Sequence, residues 1–196
     1  MGERERAILN RAGAMLKGHF LLSSGLHSDT YFQMALVYQN PVFGEELTRL
    51  LAEKFSGEKM DVVIGPALGG VIISYELGRI LRTRTVFAER EAGVMTLRRG
   101  FDIKEGERVL VCEDVITTGG SVREVIRVVE DRKGIIIGVG CIVQRGKVDL
   151  GYHLKPLVSV EVKQYQPDAC PLCKEGVPCV KPGSRNLPKA GKSLPF

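Results

Sequence analysis

Nine consecutive residues, EDVITTGGS at 113–121, combine two chemistries that a phosphorylated sugar requires together. Thr117, Thr118, Gly119, Gly120 and Ser121 follow an apolar run and precede a helical pattern. Successive backbone N–H groups and a helix N-terminus at such a place make a cradle for a phosphate dianion. The glycines let the backbone approach a ligand with no Cβ in the way. Just upstream, across the spacer of Val115 and Ile116, stand Glu113 and Asp114. Carboxylates repel a phosphate, so they face another part of the same ligand. Vicinal sugar hydroxyls, reached directly or through Mg2+, are their natural partners. The ligand described is a ribose with a phosphate on its 5 position. A strand-to-helix turn that happens to hold Thr, Gly and Ser would explain TTGGS alone, but the adjoining acid pair makes the whole segment far more specific.

A second glycine-rich turn, GPALGG at 65–70, offers Ala67, Leu68 and Gly69 as further backbone donors for an anion. It has the opening spacing of a P-loop, yet Val71 and Ile72 follow where Lys and Ser or Thr are required, and neither turn contains a dinucleotide G-x-G-x-x-G. Cys170, Cys173 and Cys179 form C-x2-C-x5-C. Three thiolates there suit zinc with a fourth ligand from elsewhere, such as His153 or a partner chain; a reduced structural knuckle and a disulfide are the alternatives. Cys112 and Cys141 lie in apolar, strand-like runs and read as small buried hydrophobes. His27 is either a substrate contact or a satisfied loop histidine, and Tyr31 and Phe32 read as core.

These residues need elements to position them. Ile8, Ala12, Met15 and Leu16 recur at helical spacing, predicting a short N-terminal helix. Residues 20–22 and 31–37 read as strands. Pro41 suits the first turn of a helix with a buried face of Phe43, Leu47, Leu50, Leu51 and Phe55, stopped at Gly57. From Asp61 onward, apolar strands (DVVIGP, TVFAE, RVLVCEDV, IIIGVGCIVQ, and one near 158–162) alternate with helices over about 71–81 and through Val122, Val125, Ile126 and Val129. Strands apolar throughout and alternating with helices predict an α/β fold whose central, mostly parallel sheet is flanked by helices on both faces. Ligands bind at the carboxyl ends of such strands, where both glycine-rich turns fall. The stretch 91–107 reads as a long polar connection. A single domain is expected over 1–196, with a small hood from 1–40 and the tail 163–196 around a core at 41–162.

Residues 113–121, with the preceding VLVC, resemble the phosphoribosyl-diphosphate motif of the type I phosphoribosyltransferases. Three further segments resemble the orotate phosphoribosyltransferases within that family: FLLSSGLHSDTYFQ at 20–33, CIVQRG with Arg145, and the tail CPLCKEGVPCVKPGSR. The resemblance spans most of the chain. It implies that orotate displaces diphosphate from phosphoribosyl diphosphate with Mg2+ as cofactor, the metal being held mainly through substrate and through Asp114 via water. It gives Glu113 and Asp114 to the ribose, 117–121 to the 5-phosphate, Ala67, Leu68 and Gly69 to the diphosphate, and Arg145, Thr117, Ser24 and Gly25 to orotate. The family's mobile loop is rich in Arg, Lys and His; here it begins Glu89, Arg90, Glu91, so Arg90, Arg98 and Arg99 stand in for its cations, the last two being otherwise a solvated pair. Ser23 and Gly69 occupy positions where the family has lysines. A homodimer is implied. A purine-base transferase and a non-catalytic regulator of the same fold are the alternatives.

Composition excludes other classes. The 28 Lys and Arg, 23 Asp and Glu and 44% hydrophobic content are those of an ordinary globular chain. The longest charge-free stretches, 30–44 and 62–75, are 15 and 14 residues, short of the roughly 20 that span a bilayer. No signal core opens the sequence, so a cytoplasmic location is expected. Of the net charge of +5, Lys181, Arg185, Lys189 and Lys192 lie in the last 16 residues, leaving about +1 on the body. Without a basic, aromatic-interleaved stripe, nucleic acid is not an expected partner.

Overall fold

The computed structural model describes residues 3–22 and 24–182. The chain forms two compact units: the described residues up to Ala14 with Met34–Glu161, and Met15–Gln33 with those from Val162 on. Ser23 and the basic residues Arg185, Lys189 and Lys192 lie outside the described residues.

The larger unit contains α1 (Glu3–Arg11), the short α2 (Ala35–Tyr38), α3 (Pro41–Glu53), β3 (Val62–Pro66), α4 (Gly69–Leu81), β4 (Arg84–Glu91), β5 (Val94–Leu97), β6 (Arg108–Ile116), α5 (Gly120–Asp131), β7 (Ile135–Arg145) and β8 (Leu154–Val160). Its sheet has the order β5-β4-β3-β6-β7-β8, parallel throughout except for the edge strand β5. The apolar strands are covered on both faces, as a parallel sheet requires. Val62, Ile64, Val109 and Val111 share one buried cluster with Val122, Val125, Ile126 and Val129 of α5. The alternating residues Val63, Leu110 and Cys112 point to the opposite face, where Leu47, Leu51, Phe55, Ile73 and Leu77 of the α3–α4 side are also buried. Each such aliphatic side chain contributes roughly 1.5–3 kcal/mol on burial. The Asn40 side chain caps α3 by accepting from the Val42 N–H at 3.1 Å, and Pro41 takes the first helical position as expected.

The chain leaves β3 to one side for β4 and to the other for β6, so the sheet has its topological switch point between β3 and β6. The register Ile64↔Val111, carried forward, brings Glu113 level with Pro66. The two glycine-rich turns therefore leave adjacent strands at the same edge.

Three local expectations are corrected. The first helix ends at Arg11, because Gly13 takes a left-handed φ of +63°; Met15 and Leu16 begin a strand instead, and α1 groups with the larger unit rather than with a hood. The strand expected over 31–37 stops at Phe32, and Val37 is buried on α2. The polar connection contains β5, joined to β4 through Ala92 and Gly93, both at positive φ, the backbone of a tight two-residue hairpin.

The smaller unit is a three-stranded antiparallel sheet, β1 (Met15–Leu21), β2 (His27–Phe32) and β9 (Gln164–Tyr165), in that order, followed by a 3-10 turn (Pro167–Ala169) and the one-turn α6 (Pro171–Lys174). Its tail returns beside β1, where Val180 exchanges backbone hydrogen bonds with His19 and Leu21. Phe32 is buried, and Tyr31 packs on Phe20 with ring centroids 5.8 Å apart.

Candidate active site

Strand β6 carries the acids to the sheet edge and α5 closes the phosphate turn. Glu113 is buried and Asp114 half-buried; the Asp114 N–H donates to Glu113 Oε1 at 3.0 Å and the Val115 N–H to Asp114 Oδ1 at 2.6 Å. Burial first, and then the Asp114 charge, push the Glu113 carboxyl well above its ordinary value. Burial also raises Asp114, but less freely, because the Glu113 side chain and the Val115 N–H stabilise its charge. Burial thus disfavours charge on both members of the pair, most strongly at Glu113.

Beyond Ile116, Thr117 is half-buried and Thr118, Gly120 and Ser121 are exposed, so the first turn of the 12-residue α5 presents its N–H groups outward. Gly119 is the helix N-cap at φ +77°, and a Cβ there would lie 2.7 Å from Leu150 Cδ2. Both its conformation and its surroundings demand glycine.

The neighbouring turn, with a cis peptide between Ala67 and Leu68, is anchored by the Ala67 N–H donating to the Ala88 carbonyl at 2.7 Å. Ala67 and Leu68 are exposed. A Cβ at Gly69 would overlap the Asp114 carboxylate. Glycine at 69 is therefore what lets the turn lie directly against the acid pair, in place of the side chain the family resemblance leads one to expect.

Arg145 is the last residue of β7 and is buried. The register Ile116↔Gln144 sets it level with Thr117, at the same sheet edge. The three arginines form ion pairs: Arg90, on β4, with Glu124 at 2.7 Å, and, just past the end of β5, Arg98 with Glu91 at 3.1 Å and Arg99 with both oxygens of Glu89 at 2.9 and 3.0 Å. The hydrogen bond from Arg99 holds the Glu89 carboxyl below its usual range. All three arginine side chains are exposed, so each pair contributes little to stability. Ser24 and Gly25 lie in the β1–β2 turn of the smaller unit.

Two residues of this site were not apparent from the sequence. Arg123, on α5, donates to the Thr118 carbonyl at 2.5 Å and to the Asp149 carbonyl at 2.6 Å, bracing the phosphate turn from behind against the loop after β7. Nothing local marks it, since a helix arginine two residues past the motif reads as solvated. Arg123→Met is expected to raise the KM for phosphoribosyl diphosphate by about 10-fold, with kcat changed less than KM; initial-rate kinetics read this directly. Tyr38 buries a hydroxyl with no partner among the described residues, and burial followed by the charge of Asp114 raises its pKa far above normal. Tyr38→Phe is therefore expected to leave thermal stability unchanged or higher by up to about 1 kcal/mol; a fall in Tm would refute that account of the hydroxyl.

The parallel sheet carries an acid pair and a glycine-rich strand-to-helix turn at its switch point, and the family model described as "Phosphoribosyl transferase domain" matches residues 34–155, which include both. An orotate phosphoribosyltransferase of Pelotomaculum thermopropionicum is 58% identical over 183 residues, covering 92% of this chain and 96% of the relative. One from Caldicellulosiruptor saccharolyticus is 60% identical over 176 residues, covering 89% and 92%. The crystal structure of orotate phosphoribosyltransferase from Aeropyrum pernix superposes with a TM-score of 0.68 at 26% identity, over 79% of this chain and 92% of that one. The chain belongs to the orotate phosphoribosyltransferase family.

Proposed function

We propose that this chain transfers the 5-phosphoribosyl group of 5-phospho-α-D-ribose 1-diphosphate to orotate, giving orotidine 5'-monophosphate and diphosphate in the synthesis of UMP. The observation that carries the reading is the buried acid pair running straight into the phosphate turn at the β3–β6 switch point. In the reaction N1 of orotate forms a bond to C1 of the ribose as the bond from C1 to the diphosphate oxygen breaks, and the N1 proton is released with the diphosphate. Positive charge grows on the sugar and negative charge on the leaving group, so catalysis rests on positioning and on fixed charges.

The N–H groups of Thr118, Gly119, Gly120 and Ser121 hold the 5-phosphate. Asp114 and Glu113 accept hydrogen bonds from the ribose hydroxyls, which fixes C1 in place. The exposed turn at Ala67, Leu68 and Gly69 offers N–H groups to the diphosphate, and Arg90, Arg98 and Arg99 exchange their glutamate partners for it as charge develops. Arg145 and Thr117 meet the planar, anionic base; Ser24 and Gly25 enter on the family resemblance alone.

Mg2+ fits this site in one manner. Two carboxylates are too few for an all-protein cage; a cation held mainly by substrate oxygens would relieve their mutual repulsion, and Asp114 would be its protein partner through water. When bound, the ion neutralises the diphosphate. The proposal includes a homodimer working in the cytoplasm. No helix among the described residues is long and apolar enough to cross a membrane.

The test is to mix the chain with phosphoribosyl diphosphate, Mg2+ and orotate and follow the loss of orotate absorbance, with adenine, hypoxanthine and xanthine in parallel. Consumption of orotate that requires both donor and Mg2+ is the expected result. Turnover of a purine in its place would overturn the Arg145 assignment, and donor binding without turnover of any base would make the chain a regulator.

A further inference from the structure

Two histidines far away in sequence complete the cysteine cluster, and His153, which belongs to the larger unit, is not one of them. His19 on β1, His27 at the start of β2, Cys170 and Cys173 each turn one donor atom inward, and the four atoms lie within 4.8 Å of one another. His19 Nε2 is 3.5 Å from Cys170 Sγ and 3.7 Å from Cys173 Sγ; His27 Nδ1 is 3.4 Å from Cys173 Sγ. A tetrahedral zinc with its usual bond lengths sets sulfur and nitrogen ligands about 3.5 Å apart, so these spacings already match its edges. The two imidazole nitrogens stand at 2.8 Å and open by about 0.5 Å to admit the ion.

The surroundings are those of a ligand set. His19 Nδ1 donates to the Val177 carbonyl at 2.7 Å. A carbonyl only accepts, so the proton is fixed on Nδ1 and the Nε2 lone pair is aimed at the cluster, the arrangement that orients metal-bound histidines. His19, His27 and Cys170 are buried. The remaining thiol, Cys179, lies 4.0 Å from the far nitrogen of His27 and is held close by the backbone bonds of Val180 to β1.

We propose that the smaller unit binds one zinc ion through His19, His27, Cys170 and Cys173, as a closed structural site unconnected with Mg2+ at the acid pair. Two thiolates and two imidazoles in a small cage select zinc over magnesium or calcium. The unit needs a staple: among its described residues only Phe20, Leu22, Phe32 and Cys170 are buried as hydrophobes, whereas His19, His27, Ser28 and Thr30 are buried as polar groups. A unit with so little apolar core gains stability from a metal that ties its two chain segments together.

The full chain, purified without an affinity tag, is expected to carry one zinc per chain by elemental analysis. Exchanged into Co2+, it should show the visible bands of tetrahedral cobalt and near-ultraviolet thiolate charge transfer. The double variant Cys170→Ser, Cys173→Ser should lose both, while Cys141→Ala keeps them. Chelation should make the segment after residue 162 the first site of protease cleavage. A wild-type chain that retains no zinc and gives no cobalt spectrum overturns the proposal without reference to any variant. So does a Cys170–Cys173 disulfide found by mass spectrometry, or zinc retained undiminished by the double variant.

Discussion

Asp114→Asn is expected to lower kcat/KM by about 100-fold, equal to about 2.7 kcal/mol, with the chain still folded. The amide has the size of the carboxylate but presents one acceptor and one donor to ribose hydroxyls that need two acceptors. The loss should appear in the KM of the donor as well as in kcat, because a sugar no longer fixed at its hydroxyls presents C1 poorly. Glu113→Gln tests the same pair from the side of stability. The Glu113 carboxyl is raised in the fold, so its favourable contribution is complete below the ordinary carboxylate range and fades as pH rises through the raised value. The variant cannot ionise. Its Tm should match that of the wild type in acid and exceed it increasingly toward neutral pH, while activity falls. A Tm advantage greatest in acid would show that the pair is not mutually repelling in the free chain. The acids are thus a case of stability given up for a charge held ready at a binding site.

Arg145→Ala is expected to raise the KM for orotate about 100-fold and to leave the dissociation constant of phosphoribosyl diphosphate within about twofold. The side chain is buried at the end of β7, where a charge meeting an anionic base is desolvated and strong. Arg145→Lys should recover little, since an ammonium group cannot form the planar, paired contact of a guanidinium. Steady-state kinetics at saturating donor, with donor binding measured separately, separates these terms. An unchanged orotate KM would remove Arg145 from base recognition.

What could be read in the sequence was whatever is coded by contiguous residues. The acid pair and the phosphate turn are nine neighbours, and their placement follows from a strand running into a helix. The sheet was legible because β3, β6 and β7 are apolar on both faces. What was hidden depends on partners distant in the chain. β5 is four residues of mixed polarity whose turn is Ala-Gly rather than the more telling Asn-Gly, and only its pairing with β4 makes it a strand. Arg123 looks solvated until Asp149 is brought to it, and Tyr38 until Asp114 is. Zinc was one of three readings of the cysteines, with His153 or a partner chain as the missing ligand, whereas the fold sets His19 and His27 beside Cys170 and Cys173. The first helix was overextended because apolar spacing alone does not register the left-handed Gly13.

The smaller unit is assembled from two stretches separated by Met34–Glu161 of the larger unit, and this orders events during synthesis. The hairpin of β1 and β2 leaves the ribosome well before its partners, because β9 and Val180, which bridges to β1, follow only after the whole parallel sheet. His19 waits for Cys170 across 151 positions of chain. Such a long loop is slow to close. The parallel sheet, in contrast, has all its strands by Val160 and is free to fold ahead of it. A chain interrupted between Val160 and Gln164 would thus carry a finished parallel sheet and an unfinished hairpin with open edges. Quality control acting on exposed strand edges would recognise that species.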